Sequence, residues 1–350
     1  MRNLLFLGSL ILLYNTAILA QVDTMATLVV SDNQEAELEY NKGVESYKSK
    51  DYQKSIEIFT QAISLKPNFY QAYYNRGNVV AIQKKYREAI TDFTEAIRIK
   101  ADFAKAYFSR GMAYLLLGEF KNALGDFYNA SLLDSKMAKY PYYSGIANFK
   151  LEEYTNAEKN FNEAIKSNPE YILAFNDRGT ARRKLKNFTG AIADYKMAIK
   201  LDPNFAQAYN NLGSVQHEIK EYKNALASFN SAIRLNPSYP SAYNNRGRVN
   251  YDMESYEEAI TDFNKSVSIN PSYFYAYNNL GLCMMKQKKY NEALVYFNKA
   301  IEFNINFAEA YGNRGSAREM LRDFDGACKD WTKAASLGIS NPSQFLAGCE

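Results

Sequence analysis

The chain has 350 residues with 42 basic and 38 acidic side chains, interspersed, for a net charge of +4. That balance, without a basic stripe interleaved with aromatics, excludes nucleic acid as a natural partner. One histidine, three cysteines without metal-ligand spacing and no glycine-rich phosphate loop leave no expected metal, cofactor or catalytic centre.

The first element is a leader. Arg2 gives a positive start, Leu4 to Leu13 is an apolar run, and small residues from Ala17 to Ala20 precede Gln21. Residues 1–20 read as a secretory signal peptide cut after Ala20. An uncleaved anchor is the alternative, with an apolar stretch at the short limit for spanning a bilayer. No cysteine follows the run to carry a lipid, and no second stretch is long enough to span, so no integral span is expected after cleavage. Residues 21–35 read as a polar linker, where Ser31 with Gln34, or Asp32 with Glu35, forms a capping box for the first helix.

From Ala36 onward, nine glycines stand 34 residues apart: Gly43, Gly77, Gly111, Gly145, Gly179, Gly213, Gly247, Gly281 and Gly315. With Gly43 as position 8, the units are 36–69, 70–103, 104–137, 138–171, 172–205, 206–239, 240–273, 274–307 and 308–341. Positions 20 and 27 are small in every unit, and positions 17 and 24 are aromatic. Position 32 is proline in five: Pro67, Pro169, Pro203, Pro237 and Pro271. Apolar residues recur every three or four positions within each half, which predicts two amphipathic helices per unit. Glycine and alanine let the two backbones approach, the aromatics fill the remaining volume, and the proline ends the second helix.

This pattern resembles the tetratricopeptide repeat family, most plainly in AYNNLGSVQHEIKEYKNALASFNSAIRLNPSY, residues 208–239. The resemblance covers 36–341. It implies an all-α, right-handed superhelical solenoid of about nine helix-turn-helix repeats, with a concave groove lined by the first helices. Each repeat would touch only its neighbours, and residues 342–350 would form a C-terminal cap or tail.

Positions 7 and 23 change together. Position 7 is Arg76, Arg110, Arg178, Arg246 and Arg314 in five units, and position 23 of those units is Asp92, Asp126, Asp194, Asp262 and Asp330. Where the arginine is absent, so is the aspartate. A planar guanidinium holds a carboxylate through two hydrogen bonds, so five ion pairs between first and second helices are expected. Losing both partners together avoids an uncompensated buried charge.

Cys283, between Leu282 and Met284, reads as a small buried hydrophobe. The stretch 326–338, GACKDWTKAASLG, resembles the terminal unit of exported bacterial repeat proteins. That resemblance makes Cys328 and Cys349 a disulfide candidate in a periplasmic or secreted protein of a bacterial envelope; sequence alone leaves the connectivity open.

By the same resemblance, positions 2, 5, 6, 9 and 12 face the groove. Position 5 is Tyr40, Tyr74, Phe108 and Tyr142, then Asn176, Asn210, Asn244 and Asn278. Position 6 includes Asn75, Asn211, Asn245, Asn279 and Asn313. An asparagine side chain offers the donors and acceptor that match a peptide unit. A ladder of them, similar to that of the O-linked N-acetylglucosamine transferases, would hold an extended polypeptide by its backbone. Helix packing is the alternative role for the asparagines and for the aromatics alike. The chaperone-binding carboxylate clamp of the family is not expected, because position 5 is never lysine. The sequence thus points to a non-enzymatic exported scaffold or adaptor for a protein or peptide ligand. A structural envelope-assembly component using the convex face or ends, or a recognition subunit of a separate envelope enzyme, are the alternatives.

Overall fold

A computed structural model describes residues 34–339 and Cys349. The leader, nearly all of the linker and most of the tail lie outside the described residues, as do Ser31 and Asp32 of the expected capping boxes.

The described residues form eighteen α-helices and no strand. The first helices of successive repeats are α1 (Gln34–Lys48), α3 (Tyr70–Ile82), α5 (Ala104–Leu116), α7 (Lys139–Lys150), α9 (Ile172–Lys184), α11 (Ala206–Glu218), α13 (Pro240–Asp252), α15 (Phe274–Lys286) and α17 (Ala308–Met320). The second helices are α2 (Tyr52–Leu65), α4 (Tyr86–Ile99), α6 (Phe120–Leu133), α8 (Tyr154–Ser167), α10 (Phe188–Leu201), α12 (Tyr222–Leu235), α14 (Tyr256–Ile269), α16 (Tyr290–Phe303) and α18 (Phe324–Ser336). This is an all-α helical-repeat solenoid fold of about nine repeats. It divides into two compact units between Lys186 and Asn187, with α1–α9 in the N-terminal unit and α10–α18 in the C-terminal one.

Within each unit every helix packs on its chain neighbours, and most first helices also touch the first helix of the next repeat. The first helices therefore form the inner layer and the second helices the outer. The turn between them places position 15 in the left-handed region. Lys50 has φ 63°, seven other non-glycine residues lie close to it, and only the third repeat uses glycine, Gly118 at φ 77°. The chain then bonds back to the first helix (Asp51 N–H to Ser46 O, 2.9 Å) and starts the second.

The period has a steric cause. A Cβ on Gly247 would lie 2.7 Å from Cε1 of Phe263 and 3.1 Å from Cβ of Asp262, so position 8 must be bare where the position 24 ring crosses it. The same clash recurs between Gly43 and Phe59, Gly77 and Phe93, and Gly213 and Phe229. Those rings are essentially solvent-free, as are the alanines and serines at positions 20 and 27 that flank them.

Candidate functional site

The arginine at position 7 sits midway along the first helix and reaches outward to the second. Arg76 Nε and Nη2 donate to Asp92 Oδ2 and Oδ1 at 3.0 and 2.7 Å, a fork on a carboxylate. Arg110 with Asp126, Arg246 with Asp262 and Arg314 with Asp330 repeat it. Arg178 and Asp194 fall in different units.

Two partners of the arginine had not been anticipated. Nη1 donates to position 25 of the preceding repeat: Arg76 to Thr60 and Arg110 to Thr94 at 3.0 Å, Arg178 to Asn162 and Arg246 to Asn230 at 2.6 Å, and Arg314 to Asn298 at 2.7 Å. The guanidinium also lies over the position 4 ring, as Arg246 does over Tyr243 at 5.6 Å. Arg76, Arg110, Arg246 and Arg314 thus each join both helices of their own repeat to the repeat before. The signal was present in the sequence: each of the five arginines has threonine or asparagine sixteen residues earlier.

Positions 5 and 6 also pair across repeats. Asn245 Nδ2 donates to Asn210 Oδ1 at 3.0 Å, Asn279 to Asn244 at 2.8 Å and Asn313 to Asn278 at 2.8 Å. In the N-terminal unit Asn75 Nδ2 donates to the Tyr40 hydroxyl at 2.7 Å, and the Tyr142 hydroxyl donates to Asp177 Oδ2 at 2.8 Å.

This corrects the expected groove. Tyr40, Tyr74, Phe108 and Tyr142 are buried core residues, not ligand contacts. Their rings pack on Phe59 and Phe69, on Phe93 and Phe103, on Phe127 and Tyr140, and on Phe161 and Tyr171. Asn210, Asn244 and Asn278 are buried too, as the accepting sides of the rungs. Asn75 and Asn211 are buried at position 6. Asn245, Asn279 and Asn313 are the half-exposed members of the expected set.

Near the far ends of α11 and α13, the one histidine bridges two repeats: His217 Nε2 lies 2.7 Å from Asp252 Oδ2. That contact holds the Asp252 carboxyl below its usual range, against the opposing effect of partial burial. Cys328 and Cys349 form a disulfide with Cα atoms 5.5 Å apart, tying Cys349 to α18. Cys283 is buried, and its burial pushes the thiol up to about 12, away from the thiolate form.

Tetratricopeptide repeat models match residues 36–69, 70–103 and 274–307, and a TPR repeat model matches 179–220, 217–254 and 247–288. The chain belongs to the tetratricopeptide repeat family. Tetratricopeptide repeats bind protein partners, and this chain is a protein-interaction scaffold. A tetratricopeptide repeat protein from Parabacteroides merdae ATCC 43184 is similar over 72% of this chain and 99% of its own, at 20% identity and TM-score 0.57, a likeness of fold. Two crystal structures of MamA are 28% and 27% identical, with TM-scores 0.40 and 0.41. They cover 45% and 52% of this chain and 93% and 97% of their own. No curated protein matches the chain. No described helix is long and apolar enough to cross a membrane, and the described residues include no cluster of His, Cys, Asp and Glu suited to a metal.

Proposed function

We propose that this tetratricopeptide repeat chain is a non-enzymatic, exported scaffold that holds an extended polypeptide along the first helices of its C-terminal unit. The observation that carries the reading is the ladder of Asn245, Asn279 and Asn313. Each spends one amide N–H on the repeat before it, and that bond fixes the side chain's orientation. Each is half-exposed and keeps a second N–H; Asn279 and Asn313 keep their carbonyl oxygens, while Asn245 Oδ1 takes a long 3.5 Å bond from Asn244. Oriented amides one repeat apart suit the alternating donors and acceptors of an extended backbone. Export rests on Arg2, the run from Leu4 to Leu13 and the small residues up to Ala20.

One observation favours a second reading, assembly through the outer face. Tyr128 and Leu132, one turn apart on α6, are 62% and 65% exposed, and the one charge after Lys121 on that helix, Asp126, is buried in its fork with Arg110.

A pull-down from an envelope or secreted fraction separates the two. The bait is residues 21–350, beside a folded variant carrying Asn245→Ala, Asn279→Ala and Asn313→Ala. A partner held by the parent and lost by the variant supports backbone capture. A partner held equally by both, and lost on Tyr128→Ser with Leu132→Ser, moves the site to the outer face.

A further inference from the structure

In the C-terminal unit, α15 and α17 begin side by side at an edge rich in rings. Phe274 and Tyr275 open α15 with ring centroids 4.1 Å apart. Phe307, the residue before α17, meets them edge-on at 5.0 and 5.3 Å. Glu309, in the first turn of α17, is the charge that acts on Tyr275; burial first and Glu309 second raise that phenol above its usual range. One oxygen of Glu309, Oε2, is buried and has no hydrogen-bond partner. Among the described residues no lysine or arginine pairs with Glu309, and residues 340–350 contain neither type.

The first two repeats show what such an edge can hold. In the second repeat Tyr70 and Phe103 hold the places of Phe274 and Phe307, with centroids 5.2 Å apart edge-on, and the Lys100 ammonium lies 5.5 Å over the Tyr70 ring. In the first repeat Lys66, at the position of Lys100, lies 4.8 Å over the Phe69 ring and 3.4 Å from the Glu37 carboxylate. Glu37, like Glu309, is the second residue of its repeat. Repeats three to eight carry Asp or Asn at that position; in the eighth it is Asn304, whose Oδ1 accepts from the backbone N–H of Asn306 at 3.0 Å. The rings remain, the next repeat adds a carboxylate, and the built-in ammonium is gone. A carboxylate in a first helical turn is favoured by the helix dipole, but the dipole does not require one of its oxygens to be buried without a donor.

We propose that Phe274, Tyr275, Phe307 and Glu309 bind a basic side chain, lysine or arginine, of the polypeptide held by the scaffold. The rings take the cation on their faces and Glu309 supplies its counter-charge. This rests on the backbone-capture reading. Asn279 lies four residues after Tyr275, and Asn313 four after Glu309, so each asparagine is one turn along the same helix face from the cation site.

The test uses the full chain and three fluorescein-labelled nonapeptides of glycine, serine and asparagine, differing at one central residue: arginine, its neutral isostere citrulline, or glutamate. Anisotropy titration at low salt should show the arginine peptide binding at least about tenfold tighter than the other two, the range expected for a cation–π contact with a partly buried counter-charge. Glu309→Gln should remove most of that preference, and Glu309→Lys should invert it, with thermal melting unchanged. The pair Asn279→Ala with Asn313→Ala should weaken all three peptides alike and leave the preference. Peptides that bind without a charge preference, or a preference that survives Glu309→Gln, overturn the cation site and leave backbone capture standing. Should no peptide bind, backbone capture fails, and N-acetyl-arginine amide decides the cation site alone. A saturable NMR shift of the Tyr275 ring, lost in Glu309→Gln, supports it; no shift overturns it.

Discussion

Asn279 donates a side-chain N–H to Asn244, one repeat earlier in the chain, at 2.8 Å. The same link, position 6 to position 5 of the previous repeat, is made with different chemistry elsewhere, Asn75 to Tyr40, Tyr142 with Asp177 and Asn313 to Asn278, while Phe108 meets Tyr143 ring to ring instead. Within each unit these bonds form a polar seam between neighbouring first helices. In its C-terminal part the seam leaves amide groups at the surface.

The rung between Asn278 and Asn313 tests the seam as a structural element. Asn278→Ala removes a buried acceptor and should cost about 1–2 kcal/mol. A double-mutant cycle with Asn313→Ala, followed by urea unfolding, should return a coupling of about 1 kcal/mol. Strict additivity would mean the bond contributes nothing.

Arg246 and Asp262 form the outer link. Their side chains are 26% and 5% exposed. Asp262→Ala strands a guanidinium held by its fork and by Asn230, and should cost about 2 kcal/mol, discounted from a fully buried pair for the exposure of the arginine. Arg246→Leu combined with Asp262→Ala should cost less, because no charge is left without a partner. A double variant as unstable as the single one, by chemical denaturation, contradicts the pairing.

Two glycines give opposite expectations. Gly247→Ala drives a methyl into Phe263 and should destabilise by about 1–3 kcal/mol. Gly125 lies on the outer side of α6 with nothing within 4 Å of a Cβ, and Gly125→Ala should stabilise by about 0.5–1 kcal/mol. Thermal melts of the two variants should move in opposite directions.

The His217–Asp252 bridge makes a pH-dependent contribution. The folded carboxyl is depressed, so its stabilisation is present above the unfolded value, about 3.9, and is lost as pH falls through the lower folded value. Asp252→Asn should lower the urea midpoint at pH 7 and lower it less at pH 3. A gap of equal size at both pH values would assign the effect to packing.

The architecture was readable because the steric cause of the period repeats: one missing Cβ at position 8 faces one ring at position 24. The Arg–Asp forks were readable because two charges vanish together. The burial of Asn210, Asn244 and Asn278 was not, since an asparagine satisfied by the next repeat looks the same in sequence as one facing water. Tyr40 and Tyr142 misled for a related reason: a tyrosine hydroxyl can serve the same rung as an amide, so an apparent change of groove chemistry was a change of core packing. The cation edge went unread because it draws on three residues of one repeat and one of the next.

The most direct test of backbone capture uses a segment bound by residues 21–350 and the same segment N-methylated at alternate residues, with side chains unchanged. If Asn245, Asn279 and Asn313 hold the backbone, methylation should weaken binding at least about tenfold, the loss of one to two hydrogen bonds, and the Asn→Ala triple variant should bind both forms equally weakly. Equal, tight binding of both forms to the parent would contradict it.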